Sequence, residues 1–134
     1  MVDVIFWDRE SKYPILILQT DAETSVRDWD EYHARIDALY AMAADHEGYV
    51  YLIFDARDTH LPPGNAIAHL RQGFEATPEN VRVAYMITQN PVVRRMVEIV
   101  MRLIVTHPAI KKYQFVRNMD EAYRRIRSQE GDIA

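Results

Sequence analysis

Two short apolar runs open the chain, residues 4–7 and 15–19, separated by a polar turn that closes on Tyr13 and Pro14. Their β-branched and aromatic content predicts two strands, and an antiparallel hairpin is the simplest way to join them. The period then changes. Trp29, Tyr32, His33, Ile36, Leu39, Tyr40 and Ala43 recur at helical spacing, with Ser25 and Asp28 placed as a helix N-terminus and Gly48 beyond the end. Residues 49–54, YVYLIF, are too few for a helix and have the composition of a buried strand.

After Asp55 comes ARDTHLPPGN, whose proline pair and Gly64 predict a loop, and then a helix carrying Ile67, Leu70 and Phe74. Residues 81–88, VRVAYMIT, predict the next strand. Asn90 and Pro91 supply an N-cap and a first-position proline for a helix over 91–105. A short strand follows at 113–116, and Asn118 with Glu121 caps a last helix using Met119, Ala122, Tyr123 and Ile126. Residues 129–134 read as a frayed tail after a domain spanning 1–128. The order β-β-α-β-α-β-α-β-α defines an α/β protein with a mostly parallel sheet, an antiparallel first strand and helices packed against it. At 134 residues, one domain that buries about two-thirds of its unfolded surface is the expectation.

The helix over 91–105, PVVRRMVEIVMRLIV, stands out. At 100° per residue, Arg94, Arg95, Glu98 and Arg102 occupy an arc of about 100°, leaving ~260° apolar. Two stripes result: Val93, Val97, Val100 and Ile104 form one, and Val92, Met96, Ile99 and Leu103 the other. Either can face the sheet. A second stripe left in water would forgo about 6–12 kcal/mol, an upper bound. Three covers are open to it: the preceding helix of the same chain, a second copy in a homodimer, or an apolar ligand or membrane surface. Flexible Met96 and Met101 suit varied partners, and the arginines can meet anionic headgroups. Pairing of Arg94 and Arg102 with Glu98 at four-residue spacing explains the charges more simply.

The order of elements, together with DAETSVRDWDEYHARIDAL, YLIFDARD, VRVAYMITQNPVVRRM and FVRNMDEAYRRI, resembles the SpoIIAA-like proteins, a branch of the STAS domains (sulfate transporter and anti-sigma-factor antagonist). The resemblance runs over about the whole chain and lies in the order of these stretches. It implies a small α/β domain that binds proteins, apolar ligands or membranes, commonly as a homodimer, and is not known for catalysis. STAS domains that act as phosphorylation switches carry a serine after the third strand. The matching positions here fall near Gly64 and Asn65, and no serine lies between Ser25 and Ser128, so the resemblance does not extend to that switch.

Composition narrows the chemistry. With no cysteine, thiol catalysis, disulfides and Cys-based zinc sites are excluded, and the chain has the usual look of an intracellular protein. No apolar stretch reaches the ~18–20 residues that cross a bilayer, and no basic, then apolar leader opens the sequence. A cytoplasmic location is expected, with peripheral membrane contact still open. Residues 1–60 carry a net charge of −8 and residues 61–134 one of +4, without a dense basic stripe, which disfavours nucleic acid as a partner.

In open α/β sheets ligands gather at the C-terminal ends of parallel strands. That rule groups Asp55, Arg57, His60, Asn65, Thr88, Gln89 and Asn90 around a cleft, with Arg57 as a holder of a ligand carboxylate or phosphate and Asp55 and Asp58 weakening the field around it. Asp55 and Thr88 are also placed as in a receiver domain, but the first strand lacks the acidic pair for magnesium and the last strand ends without the required lysine. The expected role of Asp55 is therefore to cap backbone N–H groups in the turn that follows it. His33, His46, His60, His69 and His107 show no metal-ligand spacing, although His60 and His69 can approach across the loop. No cofactor motif is present, and no nucleophile, base and orienting group can be assembled. The expectation is binding: of a lipid or other apolar molecule through the loop after Asp55 as a mobile flap and helix 91–105 as its wall, or of a regulatory protein in the manner of an anti-sigma-factor antagonist.

Overall fold

A computed structural model describes residues 4–57 and 59–131. Its five strands, β1 (Ile5–Trp7), β2 (Ile15–Gln19), β3 (Val50–Asp55), β4 (Val81–Ile87) and β5 (Tyr113–Phe115), form one sheet in the order of the chain. β1 and β2 pair antiparallel and every later pair is parallel. Between the parallel strands run α1 (Trp29–Asp45), α2 (Ala66–Glu75) and α3 (Pro91–Leu103), and α4 (Met119–Gln129) follows β5. Each crossover steps one strand in the same direction, and right-handed crossovers of that kind return every helix to the same face. The packing agrees. Residues of α1, α2 and α3 share one core with Leu16, Leu52, Ala84 and Met86, whereas Ala122 and Ile126 of α4 pack on Ile15, Ile17, Ile53 and Tyr85 of the opposite face.

The predicted elements are all present, with three differences. α1 begins at Trp29 and is capped by Asp28, whose carboxylate accepts from the Glu31 N–H; Ser25 is not the cap. Asp21 takes the N–H groups of Glu23 and Thr24, and Ser25 donates back to the Asp21 carbonyl, so this stretch closes as a turn of its own. α3 ends at Leu103, two residues early, and the chain makes an unforeseen 3-10 turn over Pro108–Lys112, N-capped by His107. At the other end α4 runs through Gln129, and Glu130 accepts a hydrogen bond of 2.7 Å from the Tyr51 hydroxyl. The helix thus enters the stretch read as a tail, whose residues 132–134 lie outside the described ones. No helix among the described residues is long and apolar enough to cross a membrane.

The two stripes of α3 separate cleanly. Val93, Val97, Val100 and Ile104 are buried against the sheet, and α2 lies alongside. Met96 packs at the margin of the core and Ile99 is half-buried, while Val92 and Leu103, with Val105 beyond the helix, remain 65%, 57% and 64% exposed. Arg94 lies over the Phe115 ring at 4.3 Å and 4.0 Å from Glu98; no ion pair joins Arg102 to Glu98 among the described residues.

Candidate functional site

Three helices over five strands leave a gap. Between α1, α2, α3 and the C-terminal halves of β2–β4 lies a cavity of about 140 Å³. Leu18, Phe54 and Met86 form its floor, Val93 and Val97 of α3 one wall, and Tyr32, Ile36 and Tyr40 of α1 another. Ala56, Thr59, His60 and Leu61 of the loop after β3 close its end, so the loop and α3 do meet at one apolar space. The strand order never reverses, so the cavity does not sit at a topological switch point; it is the gap beneath a one-sided helix layer.

The loop is braced at several points. The Thr59 and Thr20 hydroxyls form a short hydrogen bond, the Asn90 amide donates to the Thr59 carbonyl and reaches His60 Nδ1 at 3.4 Å, and the Trp29 indole donates to the Pro63 carbonyl at 3.0 Å. Gly64 has φ +119°, and a Cβ there would stand 3.3 Å from the Trp29 indole nitrogen. Glycine satisfies both constraints at once.

Of the seven cleft residues read from the sequence, only His60 and Thr88 line the cavity. Asn65 and Asn90 are helix caps: Asn65 accepts from the Ala68 N–H, and Asn90 from the N–H groups of Val92 and Val93. Among the described residues the Asp55 carboxylate accepts no backbone N–H. It is 1% exposed and accepts Arg57 Nε at 2.9 Å, Arg57 Nη2 at 3.1 Å and Gln19 Nε2 at 3.1 Å. A bidentate guanidinium answers a buried charge better than single amides do, which is why Arg57 turns inward. Arg57, 47% exposed, thus gives Nε and Nη2 to Asp55. Asp58 lies outside the described residues. His69 does not meet His60: its Nδ1 lies 2.8 Å from His33 Nε2, and its ring stacks on Trp29 at 4.7 Å, bolting α2 to α1.

The polar groups of the cavity wall were missed by sequence reasoning. Tyr40 donates to the Gly73 carbonyl at 2.9 Å and lies 2.9 Å from the Tyr113 hydroxyl, which is 2.7 Å from Thr77 Oγ1. Burial raises the Tyr32, Tyr40 and Tyr113 phenols above their ordinary value, so all three stay neutral. Gly73, a residue that costs a helix interior about 1 kcal/mol relative to alanine, is explained by Tyr32: a Cβ at Gly73 would meet the Tyr32 hydroxyl at 2.9 Å. The signal that could have found this wall is the pair Tyr32 and Tyr40, two turns apart on the apolar face of α1, with a glycine inside the following helix. Arg35 also lines the cavity, but it donates to the Thr24 carbonyl at 2.6 Å and pairs with Glu31 at 3.4 Å.

Comparison of the chain with protein-family models, with curated proteins and with solved structures finds no match in any of the three.

Proposed function

We propose that this is a non-catalytic binding protein of SpoIIAA-like type that takes a small apolar molecule into the cavity beneath α1–α3. The observation that carries the reading is the cavity itself, about 140 Å³, walled by α3 and closed by the loop after Asp55. Native interiors are packed to near crystal density, so an apolar space of that size beside the core forgoes dispersion contacts that a ligand would recover. The proposal includes a cytoplasmic, homodimeric protein with no cofactor.

A second reading draws on the exposed Val92, Leu103 and Val105. These favour a contact face on α3 and the turn after it, for a second copy, a membrane surface or a regulatory partner, as in an anti-sigma-factor antagonist without the phosphoserine. Native mass spectrometry of gently purified protein separates the two, because it reports subunit number and retained mass together. The first reading expects a small retained mass, lost in Val97→Phe, which fills the cavity from α3. A dimer with no added mass, unchanged by Val97→Phe, would assign the work to the outer face instead.

A further inference from the structure

We infer that the ligand class is an uncharged molecule of single-ring size bearing one hydroxyl, with its polar atom set against Tyr32 and the Tyr40–Tyr113 pair. The inference rests on the proposed cavity function and adds size, charge and orientation to it.

Size comes first. An apolar protein cavity of ~150 Å³ stays dry and takes benzene; the space here is about 140 Å³. A long acyl chain is several times larger, so most of it would lie outside this space.

Charge follows from the wall. Nearly all of the lining is apolar, and burial there already disfavours the charged form of three phenols. The same desolvation opposes a ligand carboxylate. Arg35, on the described wall, gives Nη1 to the Thr24 carbonyl and has its charge answered by the Glu31 carboxylate, which weakens its pull on a ligand anion.

Orientation comes from counting hydroxyl protons. Tyr40 gives its proton to the Gly73 carbonyl, and Thr77 gives its own to the Phe74 carbonyl at 2.6 Å. Tyr113 stands between them with one proton for two neighbours, so one of its two oxygen contacts has no hydrogen in it. The wall therefore has acceptor capacity to spare. Tyr32 supplies the opposite: it lines the cavity, and its hydroxyl makes no hydrogen bond within the described residues. Tyr32 and Tyr40 both reach Gly73, one at its Cα side and one at its carbonyl. A ligand hydroxyl, able to accept and donate at once, answers both deficits, whereas a hydrocarbon answers neither.

The test is titration calorimetry or ligand-observed NMR with phenol, toluene, benzoate and dodecanoate on the whole chain and on Tyr32→Phe and Val97→Phe. Phenol is expected to bind best, to weaken about three- to tenfold in Tyr32→Phe, the range of one net hydrogen bond, and to be lost in Val97→Phe. Toluene should bind more weakly and be indifferent to Tyr32→Phe. Circular dichroism of both variants verifies folding, and Tyr32→Phe removes only an oxygen. Tighter binding of benzoate or dodecanoate than of phenol would overturn the ligand class while leaving a binding cavity. Phenol binding that Tyr32→Phe does not change would overturn the orientation, and binding of none of the four would overturn this inference and the cavity function together.

Discussion

The two faces of the sheet solve the same problem differently. On one face a single helix, α4, lies on alternate residues of β2–β4, with Ala122 and Ile126 fully buried and Tyr13, Tyr49 and Tyr123 packed around it. Its tyrosines send their hydroxyls to the rim, where Tyr51 donates to Glu130 and Tyr123 donates to Asp8 at 2.6 Å. On the other face three helices compete for the same strands, a gap remains, and the tyrosines Tyr40 and Tyr113 turn inward to each other. The cleft on the α4 side is lined largely by polar and charged residues such as Asp8, Glu10 and Arg127, whereas the space beneath α1–α3 is lined by apolar ones. Polar atoms near this space pair with one another and with the Gly73 and Phe74 carbonyls.

The largest effect that can break this comparison is steric. Ala122→Leu puts three extra carbons at a fully buried contact of α4 with the sheet and should cost about 1–3 kcal/mol by overpacking. Val97→Leu adds one carbon at the wall of the cavity and should change stability by less than about 0.5 kcal/mol. Urea unfolding midpoints measure both. Equal cost per added carbon would mean that the space beside Val97 cannot be entered.

A smaller effect separates the two sets of tyrosines. Tyr51→Phe removes a donor from the Glu130 carboxylate, a hydrogen bond to a charge, and should cost about 1–2 kcal/mol. Tyr113→Phe should cost about 0.5 kcal/mol or less, because Tyr40 and Thr77 keep their carbonyl acceptors and the chain of hydroxyls was already short of a proton. The reverse ranking would show that the interior hydroxyls are fully satisfied and that the deficit assigned to them is wrong.

The contrast also marks what the sequence could tell. The element order and the β1–β2 hairpin follow from local period and from caps such as Asn90 and Asn118, which act within a few residues of themselves. The choice between the stripes of α3 did not, since both were apolar and only the path of the crossover decides which meets the sheet. The cavity wall was less legible still. Tyr40 and Tyr113 are far apart in the chain, as are His33 and His69, and no periodicity within α1 announces a partner on another element. Asp55 misled for a related reason: its local turn suggested a cap, while the buried charge recruited Arg57 and Gln19.

The smallest predicted effect tests the α4 face by pH. Glu121 accepts the Arg117 N–H at 2.8 Å and has the guanidinium groups of Arg117 and Arg125 nearby, which hold its carboxyl below the ordinary range. The neighbouring Tyr49 hydroxyl, the Tyr51 hydrogen bond and Arg82 do the same for Glu130. A carboxyl whose folded value is depressed binds protons more readily in the unfolded chain. Its contribution is therefore complete above the unfolded value of about 4.3 and is lost as pH falls through the lowered folded value. Unfolding midpoints should hold level from pH 7 to about 5 with respect to these two groups and fall below that, and the fall should be shallower in Glu121→Gln with Glu130→Gln. Both groups belong to α4 and its C-terminal cap, whereas Tyr40 and Tyr113 in the cavity wall are neutral phenols that do not titrate in this range. Phenol affinity in the acid range should accordingly track the folded fraction alone. An independent loss of affinity while the chain is still folded would mean that binding itself depends on pH, against this prediction.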